Sequence, residues 1–284
     1  MFIAKHLNEF RLDTLCRVLE VTESGFHTWR RRQPSQRSQQ DIQLLGRIQT
    51  IYAEHDGRYG APRIHVTLKR ERITCSKKRV AHLMQKAGLR GKTRRRLIKT
   101  TVRDNSHVVH KNLLDRAFNP EKPNEVWASD ITYIPTKQGF LYLAVTLDLY
   151  ARMVVGWAMS SNINSELTLS ALQMAISQRN PPTKLLHHSD QGSQYTSTTL
   201  QDALAQQGII CSMSKIGQCW DNAVVESFFE TLKRELIGEK VFDTHDEARQ
   251  AIFEFIEIYY NRKRLHSSLG YLTPLEAERQ ALVA

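Results

Sequence analysis

Cysteine is scarce in this sequence, and its four cysteines form no metal-binding pattern. No two of them are separated by only two residues, and no regularly spaced histidines accompany them, as structural zinc sites require. Four scattered cysteines in 284 residues are typical of a reducing compartment rather than of a disulfide-linked secreted domain. We therefore expect neither a zinc site nor a disulfide framework.

Long hydrophobic runs are missing as well. No apolar stretch approaches the ~20 residues that a membrane-spanning helix needs. The first six residues, 1–6, do not have the pattern of a secretory signal peptide. The sequence therefore predicts no membrane contact and a cytoplasmic location.

Positive charge is plentiful, and it is unevenly distributed. Residues 1–110 contain 24 Lys and Arg against 9 Asp and Glu, whereas residues 111–284 contain 16 against 20. A basic front half joined to a mildly acidic rear half indicates a polyanion-binding module attached to a second activity. A merely soluble basic surface is the alternative, but it does not explain the asymmetry.

The first 35 residues have the pattern of a helix-turn-helix. Apolar residues recur at helical spacing over Leu12–Leu19, and a second helix is predicted from Gly25 to Arg30 with Ser24 as its cap. Paired short helices also occur in proteins that bind no DNA, but the charge imbalance favours DNA. The residues expected to contact it at the basic end are Arg30, Arg31 and Arg32.

Residues 36–100 predict a second helical DNA-binding unit, with a plain scaffold as the alternative. A polar link is expected over residues 34–40. One amphipathic helix is indicated by apolar residues at helical spacing, namely Ile42, Leu45, Ile48 and Tyr52. Two further helices are expected over Ile64–Lys69 and Lys77–Ala87, the second with Ser76 as cap and Gly88 as stop.

A strongly basic run overlaps the predicted linker at 101–119. Seven of the fourteen residues from 90 to 103 are basic, and the centre of the run is Arg94, Arg95 and Arg96. Such runs are usually solvated. Beside two candidate DNA-binding units, this one is expected to lie along phosphates, adding affinity without reading base sequence.

From residue 120 the pattern changes to alternating strands and helices, which predicts a mixed α/β sheet. The predicted strands are Val126–Ile134, Leu141–Leu147, Met153–Met159, Leu185–His188 and Ile209–Ser212. The predicted helices are Ser165–Gln178, Thr198–Gln207, Asp221–Leu236 and Thr244–Tyr260.

Two aspartates stand where such a sheet places chemistry. Asp130 lies inside an apolar strand, where a carboxylate is costly unless it is hydrogen-bonded or binds metal. Asp190 follows a strand end, where the active sites of α/β sheets collect. Taken alone, Asp190 is more typical of a turn before Gly192 than of a catalytic site. His187 and His188 are expected to be structural or to touch DNA, because hard magnesium sites seldom take imidazole.

Glu226 lies on the predicted helix that follows, with 35 residues between it and Asp190. At 100° per residue, Glu226 and Lys233 fall about 100° and 80° from Val225, at the edge of the apolar stripe, and Glu230 falls further out at about 140°. An edge position fixes a rotamer and leaves a cleft open. The alternative is an ordinary surface ion pair between Glu226 and Lys233.

Four sequence blocks in order resemble the OrfB transposase of the IS-three family of bacterial insertion sequences, within the retroviral-integrase-like DDE group. The blocks cover W-A-S-D-I-T-Y at 127–133, H-S-D-Q-G-S-Q-Y at 188–195, the segment G-Q-C-W-D-N-A-V-V-E to Lys233 at 217–233, and the stretch from Tyr260 to Pro274. The resemblance implies an RNase H-like core over residues 120–284, with a helical extension at its end.

The resemblance also implies the reaction. Asp130, Asp190 and Glu226 would hold two Mg²⁺ or Mn²⁺ ions, which stabilise the attacking and leaving oxygens of a phosphoryl transfer. Lys233 would contact the backbone of double-stranded DNA at the element's terminal repeats. Expected partners also include target DNA, further copies of the chain and an upstream-frame (OrfA) protein, in a bacterial cytoplasm. A catalytically silent, DNA-binding regulator of transposition is the alternative function.

Overall fold

The computed structural model describes residues 2–92, 110–215, 219–238 and 240–283, and the chain divides into two compact units, Met1–Arg90 and Gly91–Ala284. The first unit is helical. Its helices are α1 (Phe2–Lys5), α2 (Leu12–Val18), α3 (Glu23–Arg31), α4 (Gln36–Glu54), α5 (Ala61–Arg70) and α6 (Lys77–Lys86).

The predicted front helix pair is present, but a different residue caps its second helix. The hydroxyl of Thr22 accepts a hydrogen bond from the backbone N–H of Gly25 over 3.0 Å. A capping hydroxyl reaches a backbone N–H about three residues ahead, so α3 begins at Glu23 and Ser24 lies inside it. The prediction of Ser24 as the cap is therefore wrong.

The predicted polar link at 34–40 is mostly helical, because the Ser35 hydroxyl accepts from the Ser38 N–H and starts α4 at Gln36. The buried stripe of α4 also differs from the predicted one, since Ile42 is exposed. The buried residues are Leu44, Ile48 and Ile51. Two overlapping apolar stripes are present in this helix, and periodicity alone does not select between them.

The predictions for α5 and α6 are confirmed in their main features. The Ser76 hydroxyl accepts from the Arg79 N–H over 3.2 Å and caps α6. Gly88, with a φ of +70°, follows the last turn in the left-handed region that favours glycine. The helices α4, α5 and α6 pack through buried Ile48, Leu68 and Val80.

The second unit contains the predicted five-stranded mixed sheet, in the order β3-β2-β1-β4-β5. The first three strands form an antiparallel meander, and β4 and β5 continue the sheet parallel to β1. The strands are β1 (Val126–Thr136), β2 (Gly139–Asp148), β3 (Met153–Ser160), β4 (Leu186–Ser189) and β5 (Ile210–Met213). The helices are α7 (Ser165–Arg179), α8 (Thr198–Gln206), α9 (Ala223–Leu232), α10 (His245–Phe253) and α11 (Pro274–Val283).

Helix α7 lies unusually close to the sheet. A methyl group placed on Gly156 of β3 would come within 2.2 Å of the Ala171 carbonyl oxygen on α7, so only glycine allows this approach. The core on this side is apolar and fully buried, and it includes Trp127, Leu172, Tyr195, Leu200 and Met213. Helices α9 and α10 pack instead against β1, which places α9 beside the strand that carries Asp130.

Two predicted helices change their geometry part of the way along. The one predicted over Asp221–Leu236 is a 3-10 turn (Cys219–Asn222), then α9, then a π-helical turn (Lys233–Ile237). The one predicted from Thr244 to Tyr260 is α10 followed by a second π-helical segment, Glu254–Tyr260. Hydrophobic periodicity indicates a helix but does not distinguish these variants.

Part of the predicted linker at 101–119 is attached to the core. The backbone N–H groups of Leu113 and Leu114 both donate to the Ser212 hydroxyl at the end of β5, over 2.9 and 3.2 Å. Leu114 is buried, and the Arg116 guanidinium pairs with Asp221. Residues 110–116 are therefore an arm of the second unit. Arg94, Arg95 and Arg96 lie outside the described residues.

Candidate active site

The register of two parallel strands brings Asp130 and Asp190 together. The pairing of β1 with β4 ends at Ala128 and His188, and each aspartate lies two residues further along its own chain. Because side chains alternate along a strand, the side chains of both aspartates point to the same face of the sheet as those of Ala128 and His188. The Asp130 carboxylate accepts from the Ile131 N–H over 2.8 Å, and that of Asp190 accepts from the Gly192 N–H over 2.9 Å.

Glu226 lies in the first turn of α9 and is half-buried at the edge of the apolar face of this helix. The buried residues of α9 include Val225, Phe228, Phe229 and Leu232, as the helical-wheel analysis predicts. Glu230 differs from its prediction, because it is half-buried rather than solvent-facing.

The three carboxylates are electrostatic neighbours. Burial and the charges of Asp190 and Glu226 together raise the pKa of Asp130 to about 8, against the opposing effects of the Ile131 N–H and the charge of Lys233. Like charges disfavour ionisation only when they are close. An acid that is this hard to ionise marks a point where a cation would be strongly stabilised.

The donor set has the chemistry that a hard divalent cation requires. All three groups are carboxylates, which magnesium and manganese prefer, and each is partly open to solvent. Among the residues that the structure describes, no three His, Cys, Asp or Glu side chains are gathered tightly enough to hold a metal ion. Without a cation, the three negative carboxylates repel one another and stay apart. The long side chain of Glu226 can bring its carboxylate closer to the two aspartates.

Lys233 approaches the same cleft from the end of α9. Its ammonium group lies 4.7 Å from the centre of the Tyr133 ring on β1. Burial lowers the pKa of Lys233, and the charge of Asp130 opposes that change. Lys233 is therefore near both a carboxylate and an aromatic ring. The charges of Glu226 and Lys233 both act on Asp130, which agrees with the prediction that these two residues share one side of the helix.

A buried polar network supports the aspartates from behind. The Ser129 hydroxyl is 2.9 Å from the Thr146 hydroxyl on β2 and 2.8 Å from His187 Nε2 on β4. The Asn222 side-chain amide donates to the Ser129 carbonyl over 3.0 Å. Burial lowers the pKa of His187 to about 3, and that of His188 to about 4. Both imidazoles are thus neutral and structural, which was one of the two predicted roles.

Asp221 and Asn222 precede α9, but they do not cap it. Neither makes a side-chain cap, because Asn222 is engaged with Ser129 and Asp221 is fully buried in another set of contacts. The Asp221 carboxylate accepts from Asn112 Nδ2 over 2.9 Å, from Arg116 Nε over 3.0 Å and from the Lys215 N–H over 3.2 Å. Asp and Asn just before a helix are typical capping residues, so the sequence predicts that they cap α9, and this prediction is wrong. The two residues fasten the start of α9 to β1 and to the arm at 110–116.

The last sequence block, from Tyr260 to Pro274, fastens the far end of α9. The Arg264 guanidinium donates to both carboxylate oxygens of Glu235 over 2.8 and 2.9 Å, and both side chains are fully buried. The Asn261 side-chain amide accepts a hydrogen bond from the Val154 N–H and donates one to the Val154 carbonyl. This block therefore holds the π-helical turn that begins at Lys233. Its residues appear in the sequence only as a basic, aromatic loop.

Sequence reasoning missed four residues around the site, namely Ser129, Tyr133, Tyr195 and Asn222. Each lies within four to five residues of one of the three carboxylates, inside the blocks that carry the family resemblance. Tyr195 is buried, and the charges of Asp130 and Asp190 add to burial in raising the pKa of its phenol. Their place inside the sequence blocks at 127–133, 188–195 and 217–233 is the feature by which they could have been predicted.

Arg30, Arg31 and Arg32 lie at the end of α3 in the first unit, and all three are exposed. Their exposure is compatible with contact to DNA phosphates. Within the described ranges, no helix combines the length and the apolar character needed to cross a membrane.

Comparison with known proteins identifies the family. Residues 39–96 match the HTH-like domain model, and residues 120–219 and 207–274 match two integrase core domain models. The chain is 44% identical over 248 residues to the transposase for insertion sequence element IS904 of Lactococcus lactis, covering 87% of this chain and 98% of that protein. It is 40% identical over 284 residues to transposase InsF for insertion sequence IS3A of Escherichia coli, covering 99% of both. The chain belongs to the IS3-family transposases.

As a member of this family, the protein is a transposase of the polynucleotidyl-transferase type with an RNase H-like integrase core. Similar folds occur in a simian T-cell lymphotropic virus intasome, with a TM-score of 0.48, 16% identity and coverage of 75% of this chain and 70% of that chain. The HTLV-2 integrase catalytic core in complex with magnesium has a TM-score of 0.44, 20% identity and coverage of 56% and 99%.

Proposed function

We propose that Asp130, Asp190 and Glu226 form the catalytic centre of this transposase and together hold two divalent cations. The observation that carries the proposal is that the pairing of β1 with β4 ends two residues before Asp130 and Asp190, which brings these carboxylates side by side. The charges of Asp190 and Glu226 both reach Asp130 and raise its pKa. When bound, Mg²⁺ or Mn²⁺ would stabilise negative charge on the attacking and leaving oxygens.

The same site would serve two successive displacements. In the first, a water oxygen attacks a phosphodiester at the end of the element, and the 3′ oxygen leaves as a hydroxyl. In the second, that 3′ hydroxyl attacks a phosphodiester of target DNA, and the 3′ oxygen of the target strand leaves. One phosphorus–oxygen bond forms and one breaks in each step, so no covalent protein intermediate is needed.

The remaining residues would place the DNA. Lys233 would neutralise a phosphate beside the carboxylates, and the basic residues of the front half would bind phosphates further from the cut. These are Arg30, Arg31 and Arg32 on α3, together with Arg94, Arg95 and Arg96. We propose a division into a helix-turn-helix-like segment at 1–35, a second DNA-binding domain at 36–100, a linker at 101–119 and a catalytic core at 120–284.

We further propose that the transposase acts as a homo-oligomer on element ends and target DNA, with an upstream-frame partner protein. Ends that are joined in pairs require at least two active sites, which one chain does not supply. The silent-regulator alternative has no observation in its favour, because all three carboxylates are present and share one electrostatic environment.

The proposal is tested by replacing Asp190 with asparagine in the full-length chain. Joining of a labelled, pre-cut element end to plasmid DNA should be abolished in both magnesium and manganese. DNA affinity in a gel-shift assay should stay within a few-fold, because the affinity resides mainly in the basic front half. Retained joining by Asp190→Asn would refute the assignment.

A further inference from the structure

Two neighbouring aromatic rings are exposed beside the active site. Tyr133 on β1 and Phe140 on β2 retain 43% and 53% of their surface, and their ring centres are 5.0 Å apart at an angle of 58°. Tyr133 pairs with Tyr142 and Phe140 with Pro135, so the two rings are diagonal neighbours on one side of a hydrogen-bonded hairpin. We call this pair the aromatic platform. The antiparallel pairing of β1 with β2 holds the two rings in register.

A cation completes the platform. The Lys233 ammonium lies 4.7 Å from the centre of the Tyr133 ring, within the range of a cation–π contact. Asp130 acts on the same ammonium group electrostatically. Lys233 therefore connects the platform, through its contact with Tyr133, to the charge of the carboxylate that the reaction would use.

Single exposed aromatic residues are common on protein surfaces and need no explanation. A fixed pair of rings with an ammonium group over one of them is more specific, because it matches a ligand with both a flat π-system and a negative charge. A nucleotide carries a flat base and a phosphate a few ångströms apart. Bases inside a duplex are stacked on each other, so only an unpaired nucleotide could present its face to the rings.

We propose that the aromatic platform binds an unpaired nucleotide of the DNA end that enters the active site. Its base stacks on Phe140 and Tyr133, and its phosphate contacts Lys233. The platform would thereby hold the strands apart next to the bond that reacts. This inference rests on the proposed function, since it takes the neighbouring carboxylates to be the catalytic centre.

The test uses DNA binding alone, so that it does not depend on catalysis. The full chain carrying Asp190→Asn is titrated with a duplex that ends in a short single-stranded tail containing 2-aminopurine, and with the same duplex carrying an abasic tail. The tail with bases should bind about tenfold more tightly, which is ~1.4 kcal/mol and within the range of one base–aromatic stack. Its fluorescence should be quenched on binding.

Tyr133→Ala and Phe140→Ala should each remove most of the quenching and most of the preference for the tail with bases, while affinity for the blunt duplex is unchanged. Tyr133→Phe should keep both, because the ring remains. Phe253→Ala is the matched control, since Phe253 is exposed to 47% but its ring contacts Trp157 on β3. Lys233→Ala should weaken the binding of both tails alike.

Equal binding of base-containing and abasic tails by the parent protein would overturn the inference, whether or not the alanine variants fold. A preference for the tail with bases that survives both Tyr133→Ala and Phe140→Ala would also overturn the inference. So would a change of oligomeric state that both variants show equally with base-containing and abasic tails. Joining by the wild-type protein is measured separately. Active joining without any base preference refutes the platform alone, and base preference without joining refutes only the proposed function.

Discussion

The side-chain amide of Asn222 donates a hydrogen bond to the backbone carbonyl of Ser129 over 3.0 Å. Ser129 immediately precedes Asp130 on β1, and Asn222 lies four residues before Glu226 at the start of α9. The bond is buried, and it joins the two elements that carry the first and third carboxylates. The Ser129 hydroxyl meets His187, three residues before Asp190, so one serine connects all three positions.

Asn222→Ala should reduce DNA joining by about a hundredfold, because a displacement of ~1 Å in a catalytic group can cost that much. DNA affinity should remain within a few-fold. The measurement is the single-turnover joining rate at saturating DNA, which separates chemistry from binding. Asn162→Ala, at an exposed position after β3, is the control and should be as active as wild type. A matching loss of affinity and rate would indicate a folding defect instead.

Glu226 and Glu230 offer a direct comparison on α9, since they are chemically identical and one turn apart. Glu226→Gln should lose essentially all metal-dependent joining, because an amide does not supply the charge that holds a cation. Glu230→Gln should stay within about tenfold of wild type, since its charge is not among those that raise the pKa of Asp130. An inactive Glu230→Gln beside an active Glu226→Gln would mean that the other glutamate faces the metals.

The raised pKa of Asp130 predicts how stability depends on pH without divalent metal. The folded protein holds this proton up to about pH 8, whereas the unfolded chain releases it near 3.8. Between these values the folded state binds more protons, so the free energy of unfolding should fall as pH rises. The melting temperature in EDTA should therefore decline from about pH 4 to about pH 8.

Asp130→Asn removes this group and should flatten that decline, with a higher melting temperature than wild type at pH 8 in EDTA. Saturating magnesium or manganese should raise the melting temperature of wild type but not that of Asp130→Asn. The same pH dependence in both proteins would show that another group is responsible. No stabilisation of wild type by either metal would contradict the cation site itself.

The uneven charge predicts how DNA binding depends on salt. If the basic front half lies on phosphates, log affinity should fall with log salt by about 0.9 for each phosphate neutralised. Replacing Arg30, Arg31 and Arg32 together with glutamine should make the slope shallower by up to about three such units. Fluorescence anisotropy over a salt series measures both slopes. Equal slopes would remove α3 from the interface.

The sheet could be predicted from the sequence because its signals are local. Apolar runs mark β1 and β2, and the apolar stripe on α9 puts Glu226 at the edge of the buried face, where the structure has it. The four blocks single out Asp130 and Asp190, whose catalytic role stays a prediction. Local patterns carry this information because each strand and helix buries a consistent set of positions.

The errors arise where distant residues decide the outcome. From the sequence, Asp221 is a typical helix cap. In the structure its carboxylate instead accepts hydrogen bonds from Asn112 and Arg116, more than a hundred residues earlier. Glu235, inside the π-helical turn that begins at Lys233, pairs with Arg264 from a distant segment. The error at Ser24 is local, since two hydroxyl residues two positions apart both fit the capping pattern and only the backbone selects Thr22.

The buried pair of Glu235 and Arg264 makes the chain intolerant of changes in length near the active site. Inserting or deleting one residue between Leu232 and Glu235 would rotate all that follows by about 100° around the helix axis. The carboxylate would then turn away and leave a buried guanidinium unpaired, at a cost of about 3–5 kcal/mol. The number of residues between α9 and Arg264 therefore has to be kept in any redesign of this part of the chain.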